Sequence, residues 1–116
     1  CHQMVHLIDP IAQLRTWAPK VFNLHGKDAT LQWDVIRQYG VHGPKPYVHH
    51  RTPGFGDTHW NDILTILRQN QYSGTIDIEG WHDPVYKGDL EMMGQVRGLN
   101  YLKACRGGDY VPNPEV

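Results

Sequence analysis

Two residues of this 116-residue chain stand where α/β proteins do chemistry, His25 and Glu79. Each closes a short, mostly apolar run. Val21-Phe22-Asn23-Leu24 stops at His25-Gly26-Lys27-Asp28, and Thr75-Ile76-Asp77-Ile78 stops at Glu79. Such runs predict strands at about 21–24 and 75–78. A helical segment lies between them, and strand–helix–strand makes two parallel strands whose carboxyl ends point the same way. His25 and Glu79 are therefore expected on one rim of one sheet, the rim where α/β folds bind ligands. Histidine is the commonest metal ligand and titrates near neutral pH. Eight histidines and four tryptophans are many for this length, which favours a site without locating it. His49 and His50 are adjacent, and on an extended segment they point opposite ways, so one shared metal is not expected.

The elements around these residues follow from local signals. Asp9-Pro10 starts a helix, since Asp caps free N–H groups and Pro suits the first helical position. Ile11, Leu14 and Trp17 or Ala18 recur at helical spacing, and Pro19 ends the helix. Residues 29–58 read as irregular: a short helix at 31–39, a Gly- and Pro-rich loop, an extended stretch at 47–50 and a tight turn at 52–57. Asp57 or Thr58 is expected to cap the next helix, with Trp60, Ile63, Leu64 and Leu67 facing inward. A loop at 80–88 carries Trp81, His82 and Asp83. The last helix, about 89–105, is expected to turn Met92, Val96, Leu99 and Leu102 to the core, and Gly107-Gly108 ends it.

Length and composition narrow the class. The chain is long enough for one domain, with roughly two-thirds of its unfolded surface buried. The formal net charge is -1, so no basic nucleic-acid footprint exists. No apolar stretch reaches the roughly 20 residues of a membrane helix, and the first residues show no charged segment followed by an apolar one. The two cysteines, Cys1 and Cys105, read as free thiols in a reducing, cytoplasmic setting. A cysteine in first position can act as a nucleophile with its own amine as base, but no sequence neighbour of Cys1 supports that use. Only two strands are convincing, and parallel strands are normally covered on both faces. The pattern looks like part of a larger sheet, expected to associate with a complementary portion or with itself.

Asn23-Leu24-His25-Gly26-Lys27-Asp28, then Arg51-Thr52-Pro53-Gly54-Phe55-Gly56-Asp57, Trp60, Tyr72-Ser73-Gly74 and Ile78-Glu79 form an ordered set. It resembles the sugar phosphate isomerase/epimerase family, with its H-x-K-D, R-x-P-G-x-G, G-Y-x-G and I-E signatures. The resemblance implies an α/β fold: residues 1–108 would be the C-terminal βα units, about strands seven and eight with flanking helices, of a xylose-isomerase-like TIM (β/α)8 barrel. Residues 109–116 would be a tail. A whole barrel takes about 250 residues.

The resemblance also implies the chemistry. His25 and Glu79 match two ligands of one divalent metal ion (Mn, Mg, Co or Zn), and Glu79 is also the catalytic acid/base group. The family's aspartate and second glutamate ligands have no match among these 116 residues. The metal stabilises an enediolate formed when a proton leaves the carbon beside a carbonyl, and a carboxylate takes and returns that proton. His2 and Arg51 match substrate-binding positions, Trp81 is placed to stack on a sugar face, and Asp83 to add a polar contact. Lys27 and Asp28 are expected to pair and orient the rim. The implied activity is isomerisation or epimerisation of a small-molecule sugar or sugar derivative, with no nucleic-acid or membrane partner. Dehydration on the same fold, or a non-catalytic portion needing a complementary chain, are the alternatives; an apurinic-site endonuclease would need more ligands and a basic surface.

Overall fold

Helix α1 (His2–Val5) leads into α2 (Pro10–Trp17), which starts as its sequence predicts. Pro10 takes the first position and Asp9 Oδ1 accepts the Ile11 N–H at 2.9 Å. The computed structural model describes residues 1–80 and 82–108. The 109–116 tail therefore lies outside the described residues.

Strand β1 (Leu24–Gly26) follows a 3-10 turn, Ala18–Lys20. Val21, whose N–H closes that turn on the Ala18 carbonyl, is already extended at φ -89° and ψ 121°, but residues 21–23 stand outside the ladder with β4. The strand therefore begins about three residues later than expected, where the Leu24 N–H reaches the Thr75 carbonyl. His25 sits within β1 rather than beyond its end. Next come β2 (Asp28–Leu31), α3 (Trp33–Tyr39), β3 (Val48–Arg51), α4 (Trp60–Gln69), β4 (Ile76–Ile78) and α5 (Glu91–Arg106).

The molecule is a mixed α/β chain with two small sheets. β1 and β4 pair in parallel, with Leu24 opposite Ile76, His25 opposite Asp77 and Gly26 opposite Ile78. The expected strand–helix–strand unit is present, with α4 as its helix. β2 and β3 pair antiparallel, with Asp28 opposite Arg51 and Ala29 opposite His50. The segment read as irregular thus contains a second sheet. His49 is exposed and His50 partly buried, as alternation along β3 requires.

The core lies between α4 and the parallel pair. Trp60, Ile63, Leu64, Ile66 and Leu67 are buried against Leu14, Ala18 and Leu102, with Leu24, Ile76 and Ile78 packed on them. The cap of α4 differs from expectation. Its N-cap is His59 with no side-chain bond. Asp57 instead accepts the Leu31 N–H at 2.8 Å, and the Thr58 hydroxyl reaches Met4 sulfur.

Helix α5 packs by another face than the apolar stripe suggested. Met92, Val96 and Leu99 are exposed, at 70%, 49% and 44%. Gly94, Gly98 and Leu102 are buried. The glycines let the helix backbone come close: a Cβ on Gly98 would stand 3.0 Å from Thr52 Cγ2, and one on Gly94 only 2.5 Å from Tyr86 Cβ. Gly107, at φ 103°, closes the helix in the left-handed conformation. No helix among the described residues is long and apolar enough to cross a membrane.

Candidate functional site

The parallel register brings the carboxyl ends of β1 and β4 side by side. The Glu79 N–H donates to the Gly26 carbonyl at 3.1 Å, extending the ladder one residue past β4. His25 of the facing strand and Lys27, one residue past its end, reach the Glu79 carboxylate. His25 Nδ1 lies 3.3 Å from Oε2, and Lys27 Nζ donates to Oε1 at 2.8 Å. Their spacing of two puts both side chains on one face of the extended chain. Lys27 is 5% exposed, His25 62% and Glu79 34%, so the ammonium is buried beneath two reachable donors. The Lys27 hydrogen bond holds the Glu79 carboxyl below the usual glutamate range, against partial burial; Lys27's charge and His25 add to it. Glu79 is therefore a carboxylate at neutral pH, the form that binds cations and accepts protons.

His25, Lys27 and Glu79 open on a cavity of about 430 Å³. His2 of α1 lines it too, with Leu14 and Trp60 on the apolar side. Four of the residues singled out from sequence thus share one cavity.

Asp28 and Arg51 do other work. The expected Lys27–Asp28 pair does not form, because neighbours on an extended chain point opposite ways. Lys27 turns to Glu79, and Asp28 turns inward to full burial. Asp28 Oδ1 accepts the Ala29 and Thr58 N–H groups at 2.9 and 3.1 Å. Oδ2 accepts the Gly54 N–H at 3.0 Å and Trp60 Nε1–H at 3.1 Å. The carboxylate thereby ties the 52–57 turn to the start of α4.

Arg51 is not among the residues lining the cavity. Its Nε donates to Asp83 Oδ2 at 3.2 Å and its guanidinium lies 5.7 Å from the Phe55 ring centre. Asp83, expected as a substrate contact, is buried at 1% exposure. It accepts the Thr52, Val85 and Tyr86 N–H groups at 2.7 to 2.9 Å. Burial alone would raise its pKa; the Tyr86, Thr52 and Val85 N–H bonds and then Arg51 overcome that and hold it below the usual aspartate range. Trp81 lies outside the described residues.

One pair at the site escaped sequence reasoning. Cys1 Sγ stands 3.6 Å from His50 Nδ1. Forty-nine residues separate the two, so no local motif announces them.

The His25–Glu79 pair suits a divalent ion in donor type, an imidazole nitrogen beside a carboxylate oxygen. It supplies two donors, and among the described residues no group of three or more His, Cys, Asp or Glu is placed to hold a metal. No protein-family model matches the chain, and no curated protein matches it.

Proposed function

We propose that this chain is the portion around strands seven and eight of a xylose-isomerase-like barrel of the sugar phosphate isomerase/epimerase type. It would serve a divalent-metal-dependent isomerase or epimerase of a sugar or sugar derivative, in a reducing, cytoplasmic setting. The observation that carries this reading is the His25 Nδ1–Glu79 Oε2 approach of 3.3 Å on neighbouring parallel strands.

Glu79 takes the proton from the carbon beside the substrate carbonyl and returns it to the other face or the neighbouring carbon. Lys27 keeps the carboxylate ionised and aimed, through the 2.8 Å bond to the oxygen that His25 does not face. His2 reaches substrate hydroxyls from the cavity wall. A divalent ion held by His25 and Glu79 supplies electrophilic stabilisation of the enediolate when bound. Such an ion takes four or more ligands, so further donors must come from beyond the two residues here.

Titration of the chain with Mn²⁺ tests the reading. Binding is expected to be weak and to be lost in both His25→Ala and Glu79→Gln; binding that survives both substitutions refutes it. In the complete enzyme, Glu79→Gln should abolish deuterium exchange at the substrate carbon, and normal exchange would sink the acid/base role.

A second reading, a portion that works only with a complementary chain, is favoured by the sheet. Along a parallel strand, alternate residues bond to alternate sides. Leu24 and Gly26 bond to the β4 side, so the backbone groups of His25 and Lys27 face the other edge. No strand among the described residues covers that edge. The Cys1 amine already donates to the Lys27 carbonyl there, at 3.2 Å. An uncovered strand edge is where another strand adds. Sedimentation should show self-association or capture of a complementary barrel portion; a clean monomer counts against it.

A further inference from the structure

Cys1 and His50 come from different elements and meet beside the cavity. Cys1 is tied to β1 through its amine on the Lys27 carbonyl. His50 is held by the β2–β3 register, opposite Ala29. The resulting Sγ–Nδ1 separation is 3.6 Å, within reach of an S–H···N bond. Both residues are partly buried, and Cys1 lines the cavity that also holds His25, Lys27 and Glu79.

Charged groups of both signs face this corner. Lys27, after β1, His2 of α1 and His82 of the loop before α5 present positive or protonatable groups to this corner. Asp28 and Glu79 present the opposing carboxylates. The His82 ring centre lies 5.9 Å from that of His50. Burial first, and then Lys27 and the neighbouring histidines, push the His50 imidazole below its ordinary value. At neutral pH it is uncharged, and its Nε2–H tautomer offers an Nδ1 lone pair to the thiol proton. A thiol with a base in hydrogen-bond reach is an activated nucleophile.

We propose that Cys1 and His50 form a thiol–imidazole pair that makes Cys1 a site of reversible mixed-disulfide formation with small disulfides such as oxidised glutathione. The Cys1 proton passes to His50 Nδ1, and the thiolate attacks one sulfur of the small disulfide. A Cys1 S–S bond forms and the reagent's S–S bond breaks. The departing thiolate takes the proton from His50 and leaves as a free thiol. Cys1 is oxidised, half of the reagent is reduced, and His50 ends unchanged. The attached group lies in the cavity, so modification obstructs access to Glu79. The pair stands on its own geometry and does not depend on the isomerase reading.

The test is the rate of mixed-disulfide formation with oxidised glutathione at each cysteine, from about pH 6 to 9, assigned by peptide mass mapping. The midpoint of the Cys1 profile should fall below about 8.5, the ordinary thiol value. Each unit of lowering raises the thiolate fraction at pH 7 by up to about tenfold and costs about threefold in nucleophilicity, a net gain of roughly threefold. His50→Gln should therefore raise the midpoint and slow Cys1 at pH 7 by about threefold or more, with Cys105 as internal reference. Equal rates and midpoints in the two proteins overturn the proposal. Should His50→Gln fail to fold, the wild-type profile in denaturing guanidinium decides: its midpoint must rise on unfolding, and an unchanged midpoint refutes the pair.

Discussion

Asp28→Asn is the sharpest probe of how the site is held. Asparagine keeps the shape and loses only the charge, so it is mild at an exposed aspartate. Here each carboxylate oxygen accepts two N–H donors. Oδ1 takes Ala29 and Thr58, and Oδ2 takes Gly54 and Trp60 Nε1. An amide has one acceptor oxygen. Whichever way it turns, its NH2 group faces two donors and leaves both without a partner. In one orientation the orphans are the Gly54 N–H and the buried Trp60 indole; in the other they are the Ala29 and Thr58 N–H groups. A buried donor left unpaired costs about 1–3 kcal/mol. Two of them, with the Gly54 and Thr58 groups only partly buried, give about 2–4 kcal/mol. A small domain holds roughly 5–15 kcal/mol in all, so this is a large share.

Urea denaturation followed by tryptophan fluorescence measures the loss. Asp57→Asn is the control, because Asp57 is exposed and accepts one N–H through Oδ2. That variant should stay within about 1 kcal/mol of wild type. If Asp28→Asn costs no more than Asp57→Asn, the four-donor role is wrong.

Glu79→Gln should destabilise the chain in a pH-dependent way. The folded Glu79 pKa is lowered, so its contribution is full above the unfolded value of about 4.3 and disappears as pH falls through the lower folded value. Melting temperatures of the two proteins should differ most at neutral pH and converge in acid; a constant gap refutes the Lys27–Glu79 account. Gly94→Ala should cost about 1–3 kcal/mol through the clash with Tyr86, despite alanine's better helix propensity. Met92→Ala, on the exposed stripe, should change stability by less than about 0.5 kcal/mol. The reverse order by urea denaturation would mean that α5 packs by its apolar stripe after all.

The parallel pair and the helix between them were legible because their signals are local. An apolar run bounded by turn residues and the i, i+3, i+4, i+7 apolar spacing on α4 do not depend on distant partners. β2 was not legible, and β3 was legible only as an extended stretch at 47–50 without its partner. Asp28-Ala29-Thr30-Leu31 alternates for only four residues with small side chains, Val48-His49-His50-Arg51 does not alternate, and their pairing across the intervening helix stabilises both. On α5, hydrophobic period identified a stripe, but close backbone approach chose the glycine face. Periodicity measures which residues avoid water, not which face lets two backbones come near. Among the site residues, His25 and Glu79 were legible from their strands, whereas the roles of Asp28 and Asp83 were not. A carboxylate's place in sequence does not say whether it meets solvent or backbone N–H groups.

That difference explains how one dipeptide links the site to the scaffold. Lys27 and Asp28 carry opposite charges on successive residues, and strand alternation sends them to opposite sides. Lys27 supports Glu79, while Asp28 supports the 52–57 turn and Trp60. Trp60 in turn lines the same cavity as Glu79. Loosening Asp28 therefore reaches the carboxylate by two routes, through the shared peptide to Lys27 and through the indole on the cavity wall. A substitution that never touches the cavity should disturb the ionisation of Glu79 as well as the stability of the fold. Buried charge at Asp28 is then a condition of the site's geometry, and its removal should be felt at Glu79 before the chain unfolds.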